Sequence, residues 1–126
     1  MNQRKPKVLV ADDDQMNGKV LSFLCRLYGF EVVQAFDGLE AFNLCKSELF
    51  DVILMDIDMP EMDGVEANIQ IKQWYNNINH TCKYIGMSTL YQLSDAYIAG
   101  AGFDEFIQKP INSHELKRHI EVFVMG

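Results

Sequence analysis

Short apolar runs recur along the chain at Lys7–Ala11, Glu31–Ala35, Asp51–Met55, Lys83–Met87 and Phe103–Ile107, and a stretch with helical spacing follows each one. Val52 to Met55 is unbroken by any polar residue, as a strand covered on both faces requires. Strand-plus-helix units repeated in this way predict an α/β domain, a parallel sheet with helices on both faces. After the first run, Met16, Val20, Leu24 and Leu27 recur at helical intervals and Gly29 closes the segment, predicting a helix buried along that stripe. The second and third helices open on Asp37-Gly38-Leu39-Glu40 and Asp63-Gly64-Val65-Glu66. In each, the aspartate is placed to cap the helix and the glutamate to reach back. Asn112-Ser113-His114-Glu115 repeats the device before a last helix whose Leu116, Ile120 and Phe123 share a face. The fourth helix, near Gln92 to Ala99, has the weakest pattern and ends at Gly100 and Gly102. Trp74 and Tyr75 read as the end of the third helix closing on the core.

Right-handed crossovers give all the strands one polarity, so the residues that follow them gather at one edge of the sheet. Those residues are Asp12-Asp13-Asp14, Asp56, Ser88-Thr89 and Gln108-Lys109-Pro110. The chain's 126 residues, 48% of them hydrophobic, suit one domain over 1–126 with a single core and no output domain. A net charge of -7 disfavours nucleic acid and anionic membranes as direct partners. No apolar run approaches the roughly 20 residues of a membrane span, and the start leads into a strand, so the expected location is cytoplasmic. Cys25, Cys45 and Cys82 are widely spaced and odd in number, pointing to reduced packing residues. His80, His114 and His119 have no metal-binding spacing.

Asp12, Asp13 and Asp56 together bring about three negative charges into contact, and such a group resists full ionisation. Lys109 offsets one charge. A hard divalent cation with oxygen ligands offsets the rest; Mg2+ suits few carboxylates with room for water and phosphate oxygens, and Mn2+ is the alternative. A carboxylate beside such a cation and an ammonium group is a nucleophile for phosphoryl transfer, giving an aspartyl phosphate. A Ser88 hydroxyl within reach would then donate a hydrogen bond absent beforehand, which makes a two-state element.

The acidic pair Asp12-Asp13, Asp56 before Met59-Pro60-Glu61-Met62-Asp63-Gly64, the hydroxyl of Ser88 and Lys109-Pro110, in that order, resemble the response-regulator receiver domains of two-component signalling. The resemblance runs from Lys7 to Phe123, and its wording is most similar to receivers of hybrid sensor kinases. It implies a flavodoxin-like (βα)5 fold with strand order 2-1-3-4-5. It also implies Mg2+ on Asp12, Asp13, Asp56 and the backbone carbonyl of Asp58. Asp56 would accept the phosphoryl group from a histidine kinase or histidine-phosphotransfer protein, with Lys109 pairing it, Ser88 bonding it on activation, Phe106 as the aromatic switch and a cis Lys109–Pro110 bond. Such a domain is regulatory rather than an enzyme. It would reach an output partner through helix 4, strand 5 and helix 5, near Tyr91, Tyr97 and Phe106, with a phosphorylation-dependent homodimer as a further outcome. Ser88 stands where threonine is commoner, Thr89 where a small residue is usual, and Phe106 lacks a hydroxyl. The rivals are a haloacid-dehalogenase-like phosphatase, set against the early position of Asp12-Asp13 and the absence of a cap, and a receiver-like binding scaffold, set against the complete residue set.

Overall fold

The computed structural model describes residues 5–59, 62–89 and 94–125, with side chains described through 121. Five parallel strands, β1 (Lys7–Ala11), β2 (Glu31–Ala35), β3 (Val52–Asp56), β4 (Lys83–Ser88) and β5 (Glu105–Gln108), form one sheet in the order β2-β1-β3-β4-β5. The helices between and after them are α1 (Gln15–Leu27), α2 (Gly38–Ser47), α3 (Gly64–Asn77), α4 (Asp95–Gly100) and α5 (Ser113–Met125). This is the flavodoxin-like arrangement the resemblance implies.

Two cores, rather than the single one expected, flank the sheet because side chains alternate along a strand. Leu9, Ile53 and Met55 face α2 and α3, meeting Ala41, Cys45, Ile71 and Tyr75. Val8, Val10 and Leu54 face α1 and α5, meeting Leu21, Cys25, Leu116 and Ile120. Every residue of β3 is buried, as its unbroken apolar run requires. Phe123 lies outside the described side chains. The Tyr75 hydroxyl donates to the Glu48 carbonyl at 2.8 Å and accepts from the Phe50 N–H at 3.1 Å, so the end of α3 does close on the core. Trp74 is half-buried, with Lys46 over its ring at 6.0 Å. The cysteines are free, and burial pushes the Cys25 and Cys45 thiols up to about 12, which keeps them inert.

α1 corrects the sequence reading. Its buried residues are Gly18, Leu21, Ser22 and Cys25, whereas Met16, Val20 and Leu27 are 71%, 47% and 64% exposed and Leu24 is only half-buried. The helix lies on the sheet through Gly18, Leu21, Ser22 and Cys25, with Leu24 packed against the same core, which leaves Met16, Val20 and Leu27 outside.

Two further boundaries shift. β5 starts at Glu105 rather than Phe103, because Gly102 takes φ +83°, the Phe103 N–H bonds the Ile98 carbonyl, and Asp104 bonds the Tyr84 backbone. Phe103 instead lies beneath Gly86 of β4, where an added Cβ would meet its ring at 3.1 Å. α4 begins at Asp95 under a Ser94 cap, and its expected start at Gln92 falls outside the described residues, as does Tyr91.

The caps hold on one side only. Asp37, Asp63 and Asn112 accept from the N–H groups of Glu40, Glu66 and Glu115. Glu40 bonds the Phe36 N–H, one residue before the cap, and Glu66 turns to Gln70.

The β3–α3 turn leaves no space at Gly64, where a Cβ would stand 2.0 Å from the Asp56 carbonyl oxygen. Gly64→Ala is expected to destabilise the fold by roughly 2–4 kcal/mol, since backbone rather than a flexible side chain must move. Urea unfolding checks this, and a midpoint matching the parent's would refute it.

Candidate functional site

The site lies where the sheet's carboxyl edge continues past its strands. Ladder-like bonds extend beyond the strand ends: the Asp12 N–H donates to Ala35, Ile57 to Met87 and Lys109 to Ser88. Register pairs Asp56 with Met87 and Ser88 with Gln108, so the candidate residues come level.

Asp12, Asp13 and Asp56 each place a carboxylate oxygen within 4.8 Å of the others. Asp12 and Asp56 are buried and Asp13 is exposed. Lys109 Nζ bridges the two buried acids, 3.0 Å from Asp12 Oδ2 and 3.0 Å from Asp56 Oδ2. Asp56 Oδ1 accepts the Asp58 N–H at 3.0 Å. An all-oxygen donor set that is closed on the protein side and open at Asp13 fits a hard, partly hydrated cation such as Mg2+.

Burial raises the Asp56 carboxyl from 3.8 to about 6, opposed by the Asp58 N–H and by Lys109 and reinforced by Asp12. Burial alone would lower the Lys109 ammonium, yet its bonds to Asp12 and Asp56 prevail and hold it above its ordinary value. At pH 7 the pair is thus mainly a carboxylate and an ammonium.

Each expected site residue has a place. Ser88 is fully buried at the end of β4, Thr89 is exposed beside it, and Phe106 is half-buried on β5 against the α2–α3 core. The Lys109–Pro110 peptide is cis. Asp14, the third acid of its run, caps α1 by accepting from Met16 and Asn17. Two contacts escaped the sequence reading. The Asn17 side chain donates to Asp12 Oδ2, and the Asp58 side chain turns towards Ser88 rather than only lending its main chain. Asn17 carries a sequence signal, since the first turn of α1 must pass over the acidic pair; Asp58 carries none.

The chain belongs to the response regulator receiver domain family, whose model matches residues 8–121. It is therefore a receiver domain of two-component signalling, which sets aside the dehalogenase-like reading. Hybrid signal transduction histidine kinase F of Dictyostelium discoideum is 30% identical over 125 residues, covering 94% of this chain and 11% of that protein, so the chain spans about a tenth of that relative. The receiver domain of sensor histidine kinase PA1611 from Pseudomonas aeruginosa, solved with magnesium in its active site cleft, superposes with TM-score 0.83 at 24% identity, covering 98% of this chain and all of that one. The receiver domain of Ssk1, solved with the histidine phosphotransfer protein Ypd1 from Saccharomyces cerevisiae, gives TM-score 0.87 at 22% identity, covering 99% of this chain and 92% of that one. No helix among the described residues is long and apolar enough to cross a membrane.

A carboxyl raised from 3.8 to about 6 binds its proton more tightly folded than unfolded. The stability it contributes is therefore present below the unfolded value and declines as pH rises through the folded one. Without divalent cations, Asp56→Asn is expected to exceed the parent in stability at pH 7 by roughly 1–3 kcal/mol, with the advantage fading below about pH 4. Urea unfolding at both pH values measures this; an equal advantage at both would remove charge burial as its cause.

Proposed function

We propose that the chain is a Mg2+-dependent phosphoacceptor switch in which Asp56 takes a phosphoryl group from a phosphohistidine. The supporting observation is the buried Asp56 carboxylate with the acids of Asp12 and Asp13 on one side and the Lys109 ammonium 3.0 Å away. In the reaction an Asp56 oxygen forms a bond to phosphorus while the phosphorus–nitrogen bond breaks and histidine leaves with the electron pair. Mg2+ bound by Asp12, Asp13, Asp56 and the Asp58 carbonyl supplies neutralisation of the phosphoryl oxygens. Lys109 transfers one hydrogen bond from Asp56 to the phosphoryl group while still anchored to Asp12. Ser88 then donates to a phosphoryl oxygen, Phe106 repacks, and the surface of α4, β5 and α5 presents itself to an output partner or a second copy. α4 suits movement: it has no buried residue, and Tyr97 on it is 39% exposed.

The donor is a histidine kinase or histidine-phosphotransfer protein, and α1 is its seat. Met16, Val20, Phe23 and Leu27 are all exposed and follow a 4-3-4 spacing, the seam by which one helix packs on another. α1 starts at Gln15, directly after the acidic run, so a helical partner lying on this seam brings its histidine to the open side of the site.

With Mg2+ and a small acyl-phosphate donor, intact mass is expected to show one phosphoryl group on the parent and none on Asp56→Asn. No gain, or an equal gain in the variant, would reject Asp56 as acceptor. Phe23→Asp is expected to slow uptake from a phosphorylated histidine-phosphotransfer domain about tenfold or more, as loss of a buried aromatic anchor does. Uptake from the small donor should be unaffected, and an equal slowing with both donors would reject the α1 seat.

A further inference from the structure

A groove between α3 and α4 has no part in the phosphoryl transfer. It opens beside the acidic cluster with a volume of about 810 Å3, and Met59, Val65, Ile69 and Tyr97 supply apolar surface to it. Met59 is buried and Val65 half-buried, so the domain itself closes the floor. Ile69 on α3 and Tyr97 on α4 are 40% and 39% exposed, so both walls carry apolar surface that water still reaches. A small ligand would leave those outer parts wet, whereas side chains on a longer segment would cover them. Four carboxylates, Asp13, Asp58, Asp63 and Glu66, line the same groove, and all four are exposed. Among the described residues no lysine, arginine or histidine pairs with any of them, unlike the buried Asp12 and Asp56, which share Lys109.

We propose that this groove docks an amphipathic segment of a partner protein, whose apolar side chains enter between Ile69 and Tyr97 and whose lysines or arginines meet the four acids. Charge selects the partner. Like charges around one cavity focus a negative potential there, which repels acidic segments and draws basic ones. A purely apolar segment would strip water from the carboxylates without pairing them. A purely basic one would leave Ile69 and Tyr97 wet. Only a segment with both kinds of side chain answers the whole surface. α3 packs on the opposite face of the sheet from α1, so this partner and the proposed phosphoryl donor rest on different helices. The docking does not depend on Asp56 being the acceptor.

Fluorescence anisotropy of a labelled synthetic helical peptide, with leucines on one face and arginines and lysines on the other, tests this on the full chain at about 0.15 M salt without divalent cations. The parent is expected to bind it about tenfold or more tightly than the same peptide with glutamates in place of its basic residues. Glu66→Lys is expected to weaken binding about tenfold, whereas Glu31→Lys, the same charge change at the opposite end of the sheet, changes it less than about twofold. Ile69→Ser leaves the charge alone and is expected to weaken binding about three- to tenfold. Glu66 and Ile69 are exposed, so both variants keep the fold. Backbone amide NMR shifts on adding the peptide are expected at Val65, Ile69 and Tyr97. Equal losses in Glu66→Lys and Glu31→Lys would overturn the proposal, because the peptide then responds to net charge and not to the groove. A parent that does not bind the basic peptide, an unchanged affinity in Ile69→Ser, or shifts confined to α1 around Met16 and Phe23 would each overturn it as well.

Discussion

One ammonium group shared by two buried carboxylates sustains the whole carboxyl edge of the sheet. Asp12 follows β1, Asp56 ends β3 and Lys109 follows β5, and Nζ stands 3.0 Å from both acids. Two buried carboxylates at this range repel and lose hydration, so without the cation one of them would hold a proton. That requirement reaches back to topology. Only strands of one polarity deliver three such residues from separate parts of the chain to one edge, and the bond from the Lys109 N–H to Ser88 fixes the lysine's backbone after β5 has ended. The charge that remains, with Asp13 at the open side, is what a divalent cation would offset, while burial first and then Asp12 raise the proton affinity of Asp56. Stability and the electrostatics of the proposed metal and acceptor positions thus follow from one arrangement.

The parts of this arrangement legible in the sequence are those that strand polarity dictates. Asp12, Asp13, Asp56, Ser88 and Lys109 occupy strand ends, and a short apolar run bounded by polar residues locates a strand end to within one or two positions. Asp58 is different because a loop imposes no side-chain period: nothing in Asp56-Ile57-Asp58 distinguishes a carboxylate facing Ser88 from one facing water. Phe103 shows the limit at a boundary. It reads as the first apolar residue of β5, yet positive φ at Gly102 and the Asp104 bond to Tyr84 place it in a turn with its ring under Gly86. The residue stays in the core while its backbone leaves the sheet, and hydropathy records only the first of these.

α4 combines a lightly packed body with a fixed end. Its six residues include none that is buried, so packing holds it weakly. Its carboxyl end, however, is pinned from α3: the Asn68 side chain donates to the Ala101 carbonyl at 2.8 Å and Lys72 Nζ to the Gly102 carbonyl at 3.2 Å. Asn68 is itself fully buried, which makes that anchor firm. In the proposed switch, a change at Ser88 would meet a helix tied at its far end and held along its length only by Ile98.

α1 carries the opposite lesson about apolar pattern. Apolar periodicity selects Met16, Val20, Leu24 and Leu27, and of these only Leu24 packs on the core, beside the buried Gly18, Leu21, Ser22 and Cys25. The buried set is the face that meets the sheet, with Gly18 nearest the Gln34 side chain of β2 and Leu21 and Cys25 in the core between α1 and α5. Folding does not explain the outer one: Met16 and Phe23 at 71% and 60% exposed contribute little to burial in the isolated domain. Hydropathy measures how much a surface gains by leaving water and is silent on what covers it, so an interior face and an interface read alike. Where the chain's own core is already closed by Leu21, Cys25 and Leu24, the apolar stripe left outside is the surface on which the proposed phosphoryl donor would sit, beside the acidic cluster.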